Sequence, residues 1–241
     1  MATSGVTQFQ PTRNEIIEAA MRKIGVLAEG QVPSSDNYTT ATYALNALLG
    51  EFRVLGMPLW KRSSLTFTPT VNVNTYNINT GEVFSGVTIA VPYPLKIYQA
   101  YRTDTSSTTK VQMDILADYN FNLLPSNSSG LPISITYTPY VNHGVLKMWP
   151  TPDASAVANC TITLVYQAPM EYSGNSIQTL DIPEEWLSAV IYNLASRIAP
   201  EWGIPLPDRQ LLEATAEKLL NRALDFGAED GSLYFQVDRK M

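Results

Sequence analysis

The chain has 241 residues, 45% of them hydrophobic and only 16% charged, with 22 acidic against 16 basic side chains and a net charge of −6. That much apolar material excludes wholesale disorder, and the acidic balance offers no basic stripe of the kind that tight phosphate-backbone binding needs. One cysteine, Cys160, excludes an internal disulfide framework and a multi-cysteine metal site, one histidine, His143, leaves a His-based triad or zinc site almost no raw material, and no cofactor is expected.

The first helix is predicted to start at Thr12, where Thr12-Arg13-Asn14-Glu15 fits a capping box. Ile16, Ile17, Ala20 and Ile24 repeat at helical spacing, and Gly25 offers a stop. A Ser34/Ser35 cap opens a second helix with a stripe of Ala41, Ala44, Leu45, Leu48, Leu49 and Phe52 that runs to Gly56, and the two helices should pair antiparallel. Strands follow at Leu65–Thr68, Val71–Ile78, Val87–Val91, Leu95–Tyr101, Lys110–Asp114, Ile133–Thr138, Val145–Trp149 and Cys160–Tyr166, with a short helix within Asp114–Leu123. Ser126–Gly130 and Pro150–Ala156 read as turns. A third helix begins at Asp181-Ile-Pro-Glu184, with Asp181 as its cap and an apolar face of Leu187, Val190, Ile191, Leu194 and Ile198. A fourth runs from Asp208 to about Phe226, burying Leu212, Ala216, Leu219 and Ala223, and Gly227 stops it.

Charge divides this series. Residues 63–180 hold 10 of the 38 charged side chains but 16 of the 23 threonines and 9 of the 13 tyrosines, the composition of β-structure. The predicted fold is therefore α+β: an antiparallel bundle of about four helices, interrupted by an antiparallel β barrel or sandwich and followed by an extended C-terminal arm. The divisions are 1–62 and 181–226 for the helical domain, 63–180 for the insertion and 227–241 for the arm. A free-standing β-domain needs charge along its edges to avoid pairing with neighbours, so one this neutral reads as buried against other subunits.

Candidate chemistry is sparse. Glu184 and Glu185 point about 100° apart on a helix and serve its dipole rather than a substrate atom. Asp114, Asp118, Asp153 and Glu171 could form a glycosidase pair in the insertion, but nothing in their spacing sets a separation. His143 lies in a turn signal, and Cys160 opens a buried strand as a small hydrophobe. Lys61-Arg62 and Arg239-Lys240 are basic doublets, and such doublets are too few to dominate DNA affinity. No apolar run approaches the roughly 18 residues that span a bilayer and no signal peptide is visible, so no membrane contact is expected; the single His, single Cys and lack of a nucleophile motif give no expectation of catalysis.

Three strings carry a resemblance: Glu18-Ala-Ala-Met-Arg-Lys-Ile-Gly-Val26, Ala47-Leu-Leu-Gly-Glu-Phe-Arg53 with Gly56-Met-Pro-Leu-Trp60, and Ile182-Pro-Glu-Glu-Trp186 with Tyr192-Asn-Leu-Ala-Ser-Arg-Ile-Ala-Pro-Glu-Trp-Gly203. In this order they resemble the helical core of the head-to-tail adaptor of short-tailed bacteriophages, also called the tail accessory factor or packaged-DNA stabilisation protein. Gly144-Val-Leu-Lys-Met-Trp-Pro-Thr-Pro152 is similar to the inserted β-region of longer adaptors and tail tubular proteins. The resemblance implies a virion protein assembled in the host cytoplasm, in a ring usually of twelve copies. That ring would lie between the portal protein and the tail nozzle or tail tube, and DNA would pass through it without specific binding. It also implies that the segment after the last helix reaches the portal. Here that segment, Gly227–Met241, carries Leu233, Tyr234, Phe235 and Val237, the expected portal contacts, with the two aromatics as anchors. A carbohydrate-binding or glycan-degrading tail component is the alternative, and a nucleic-acid-binding module is a further one.

Overall fold

The computed structural model describes residues 9–28, 30–54, 61–80, 86–172 and 174–226. They form six helices and eight strands in the order α1 (Arg13–Lys23), α2 (Ser35–Val54), β1 (Arg62–Phe67), β2 (Thr75–Asn79), β3 (Val87–Ala90), β4 (Lys96–Asp104), β5 (Lys110–Ile115), α3 (Asp118–Phe121), β6 (Ser134–Pro139), β7 (Gly144–Trp149), α4 (Ala154–Asn159), β8 (Cys160–Gln167), α5 (Glu184–Ile198) and α6 (Leu206–Phe226). The chain divides into two compact units, Lys61–Pro169 and the residues on either side of it.

In the helical unit the end signals work as local chemistry predicts. The Thr12 hydroxyl accepts from the Glu15 N–H while the Glu15 carboxylate accepts from the Thr12 N–H at 2.7 Å, closing the capping box. Gly25, at φ +74°, ends α1: its N–H bonds the Arg22 carbonyl, and Val26 N–H bonds the Met21 carbonyl, the pairing that satisfies a helix C-terminus. Ser34 caps α2 by accepting from the Asn37 N–H at 3.3 Å. Asp181 does not cap α5, however. Pro183 takes the cap position without a side-chain bond, and the Asp181 carboxylate accepts from the Glu171 N–H at 3.4 Å. The fourth long helix starts at Leu206, two residues before the expected Asp208, because Pro207 has no N–H to lose in a first turn.

α5 is the hub of this unit, packed against α1, α2 and α6. Its Trp186, Leu187, Val190, Leu194 and Ile198 are buried with Ile16, Ile17, Leu45, Leu49 and Phe52. Met170 and Leu180 join the same core. α6 is more peripheral than its pattern predicts: Ala216 and Ala223 are buried, while Leu212 and Leu219 are only partly covered. Small residues at the contact allow close approach, and Asn193 of α5 donates to the Ala216 carbonyl at 3.3 Å.

The β-unit is one curled, half-barrel sheet of eight strands in the order β1-β8-β4-β5-β6-β7-β2-β3. An antiparallel barrel or sandwich was expected; the sheet is mixed, because β5 pairs with β6 and β2 with β3 in parallel. The physical reason lies in the connections. The 18 residues from 116 to 133, with α3 inside them, are long enough to return the chain to the same end of the sheet, which a hairpin turn cannot do. Side-chain alternation marks which face a residue takes and is silent on strand direction. The helix count also rises above four: α3 falls within the expected Asp114–Leu123, and α4 replaces part of the expected turn at Pro150–Ala156. Asp153 caps α4, its carboxylate accepting from the Ala156 N–H at 2.7 Å. The core side carries Tyr76, Ile78, Ile135, Leu146, Ile162, Leu164 and Tyr166. At the start of β7 a Cβ on Gly144 would meet the Tyr137 hydroxyl at 2.0 Å, so only glycine admits that ring. The expected strand at Val71–Ile78 shortens to Thr75–Asn79, since Val71-Asn72 forms a turn in which Asn72 takes φ +60°.

Candidate functional site

The expected portal contacts Leu233, Tyr234, Phe235 and Val237, and with them Arg239-Lys240 and the Gly227 stop, lie outside the described residues. The remaining candidates are placed.

His143 closes the β6–β7 hairpin. Its ring stacks on Tyr140 at 4.9 Å and 8°, and its carbonyl accepts from the Tyr140 N–H at 2.7 Å. Between them Val141 stands 90% exposed at the tip. Cys160 is buried where α4 gives way to β8, and burial pushes its thiol above the ordinary range, with Arg102 opposing weakly. Such a thiol is a packing group rather than a nucleophile. It borders a cleft of about 320 Å³ lined by Arg102, Asp104, Thr109, Val111 and Leu131. Arg102 donates to the Pro132 carbonyl at 2.8 Å, and Asp104 is held below the usual carboxylate range by the Ser106 hydroxyl and N–H that it accepts from. The cleft is thus walled by groups already engaged with their own loops.

Two of the carboxylates weighed as a glycosidase pair are engaged locally, and the other two stand apart from them. Asp153 caps α4, Asp118 in the first turn of α3 lies 3.7 Å from the Lys147 ammonium, and Asp114 sits on exposed strand β5. Glu171 belongs to the other unit. Glu184 accepts from the Phe9 N–H at 2.8 Å, tying the start of the described chain to α5, while Glu185 lies exposed in the same first turn. Among the described residues no three His, Cys, Asp or Glu side chains come together as a metal ligand set, and no helix is long and apolar enough to cross a membrane.

Three cations of the sheet lie over tyrosine rings. Arg62 and Lys96 sit 5.3 and 5.7 Å from the Tyr98 centroid, and Lys110 lies 5.1 Å from that of Tyr101. Tyr98 in turn donates to the Gln167 amide oxygen at 2.9 Å.

The sequence reading missed the polar joints of the helical unit. The Tyr38 hydroxyl donates to Glu18 at 2.6 Å, joining α2 to α1; burial first, and then that bond, push the phenol up to about 12. Arg53, at the end of α2, lies 4.1 Å over the Tyr172 ring and donates to the Tyr172 hydroxyl at 3.1 Å and to the Met170 carbonyl. Arg197 of α5 pairs with Glu51 of α2 beside a cleft of about 370 Å³ whose walls include Leu48, Glu213, Glu217 and Leu220. For Arg53–Tyr172 and Arg197–Glu51 the partners are more than a hundred residues apart and leave no local signal.

What these sites offer is packing, capping and surface rather than a convergent reactive constellation. The family model described as SU10 adaptor protein matches residues 11–233, which span both compact units. No curated protein matches the chain. The match covers nearly the whole sequence, and the chain belongs to the SU10 adaptor protein family of phage adaptors, structural rather than catalytic proteins.

Proposed function

We propose that the protein is a head-to-tail adaptor: a virion component, assembled in the host cytoplasm, whose copies form a ring that joins the portal to the tail nozzle or tail tube and surrounds part of the DNA exit channel. The observation that carries this reading is the adaptor-family match over residues 11–233. The net charge of −6 supports it, because an acidic subunit repeated around a channel lets DNA slide without adhering. Twelve copies follow from the resemblance to short-tailed phage adaptors. In this reading the helical halves 1–62 and 181–226 frame the insertion 63–180, and the arm 227–241 binds the portal through Leu233, Tyr234, Phe235 and Val237, adding a strand to a portal edge.

Electron micrographs of the purified protein with and without its portal test the ring: closed rings on the portal are expected, and their absence at saturating protein overturns the reading. The arm has its own test. Deleting residues 228–241 should leave helix content and melting temperature unchanged while abolishing portal binding. A truncated protein that still decorates portal rings at wild-type affinity would remove the arm from this account.

A further inference from the structure

Among the described residues the sheet does not close on itself. β1 has β8 on one side and β3 has β2 on one side, and these two strands end the order of the sheet. Exposed edges are ordinarily protected by charge, proline or a bulge, because unpaired N–H and C=O groups recruit other strands. Here the protection is placed the wrong way round. The strands with two partners carry the charges: Lys96, Arg102 and Asp104 on β4, Lys110 and Asp114 on β5, Lys147 on β7. The ten residues of the two edge strands carry Arg62 alone, at the outer end of β1, and neither strand contains a proline. The one register shift among the strand pairings also falls inside, in β4 between Ile97 and Gln99.

The two edges are complementary. Following the pairings across the sheet, antiparallel except at β5–β6 and β2–β3, β1 and β3 run in opposite senses. Copies set side by side in one orientation would therefore meet antiparallel. One register also fits the side chains. With Ser64 opposite Ala90, Leu65 lies opposite Ile89, Thr66 opposite Thr88 and Phe67 opposite Val87. Leu65, Phe67, Val87 and Ile89 all pack toward the core of their own sheet, so the apolar residues of both strands fall on one face. Arg62 falls beyond the end of β3, where it lies over the Tyr98 ring of its own sheet. Each copy supplies one edge of each kind, the heterologous arrangement that a ring requires.

We infer that β1 of one copy pairs antiparallel with β3 of the next, in the register Ser64–Ala90, and that this added strand pair joins adjacent subunits. The inference rests on the ring proposed above and adds the surface that builds it. Two sets of variants test it in the full chain with its portal. Ser64→Lys with Ala90→Lys places like charges opposite each other and should raise the concentration for half-assembly about tenfold, whereas Ser64→Lys with Ala90→Glu should restore it. The side chains at 64 and 90 are exposed, so melting temperature should not change. Ser64→Cys with Ala90→Cys should give an oxidised ladder of dimers and higher multimers, and mixing the two single variants should stop at dimers; native Cys160 is buried. Rings that form without cross-linking, or that ignore the lysine pair, overturn the strand pairing and leave the ring. A disulfide within one copy overturns it because the barrel then closes on itself, and a cross-link to the portal overturns the choice of partner. If the wild-type protein forms no ring at all, the reading beneath the inference falls with it.

Discussion

The two units of this protein bury different chemistry. Among the described residues the helical unit buries only apolar side chains apart from proline, whereas Asn77, Asn79, Ser134, Thr136, Thr163 and Gln167 are buried in the β-unit. A helix shows the core a single stripe and leaves its remaining positions to solvent, so charge is tolerated over most of its surface. A strand has two faces. On β2, β6 and β8 the core face carries Tyr76 and Ile78, Ile135, Ile162 and Leu164, and the opposite face, with the buried polar residues, is covered as well. A charge there would need a partner, while a small neutral polar group needs only a hydrogen bond. Part of the charge poverty of residues 63–180 is thus internal to the unit. The exposed and uncharged Ser63, Ser64, Thr66 and Ala90 are not explained that way, and the proposed pairing of β1 with β3 of the next copy would account for them.

Four measurements would break or sharpen this contrast. The largest effect belongs to Trp186→Ala in the helical core, where the ring is 4% exposed and meets Phe52 edge-on at 5.8 Å; unfolding free energy should fall by about 3–5 kcal/mol. A loss within error would mean that α5 is not the hub. Leu194→Ala and, in the sheet, Leu146→Ala remove fully buried side chains and should each cost about 2–5 kcal/mol, with Leu219→Ala on the half-covered face of α6 costing roughly 1. Equal losses at Leu194 and Leu219 would contradict the peripheral position of α6. Asn77→Asp puts a charge on the buried second face of the sheet and should cost about 1–3 kcal/mol at neutral pH, while Ala214→Glu on the exposed side of α6 should stay within about 0.5. If both are neutral in denaturant titrations, the neutrality of the β-unit has no internal cause.

The smallest effect carries a pH signature. Tyr38→Phe removes the bond to Glu18 and should cost about 1 kcal/mol near neutrality. Because the folded protein raises the phenol from 10 to about 12, its contribution is complete below pH 10 and is lost as pH climbs through 12. The stability gap between wild type and Tyr38→Phe should therefore close between pH 10 and 12. A gap that persists at pH 12 would assign the effect to packing.

Much of the architecture was legible in residue order because its causes are local. A Thr-x-x-Glu box, a glycine after the last turn of α1 and apolar residues at helical spacing fix the ends and inward face of a helix within a dozen residues, whatever lies elsewhere. Period-two alternation located all eight strands for the same reason. The resemblance carried by the helical strings led to the adaptor family on the same local footing. What only the tertiary structure decided were quantities set between elements rather than within one: the parallel senses of β5–β6 and β2–β3, the depth of α6 against α5, and the joints Arg53–Tyr172, Arg197–Glu51 and Tyr38–Glu18. It also decided which strands stand at the edge of the sheet. Strand order depends on which segments meet across the fold, and no local periodicity records that, so the uncharged β1 and β3 look ordinary in the sequence and become open edges only once the sheet is assembled.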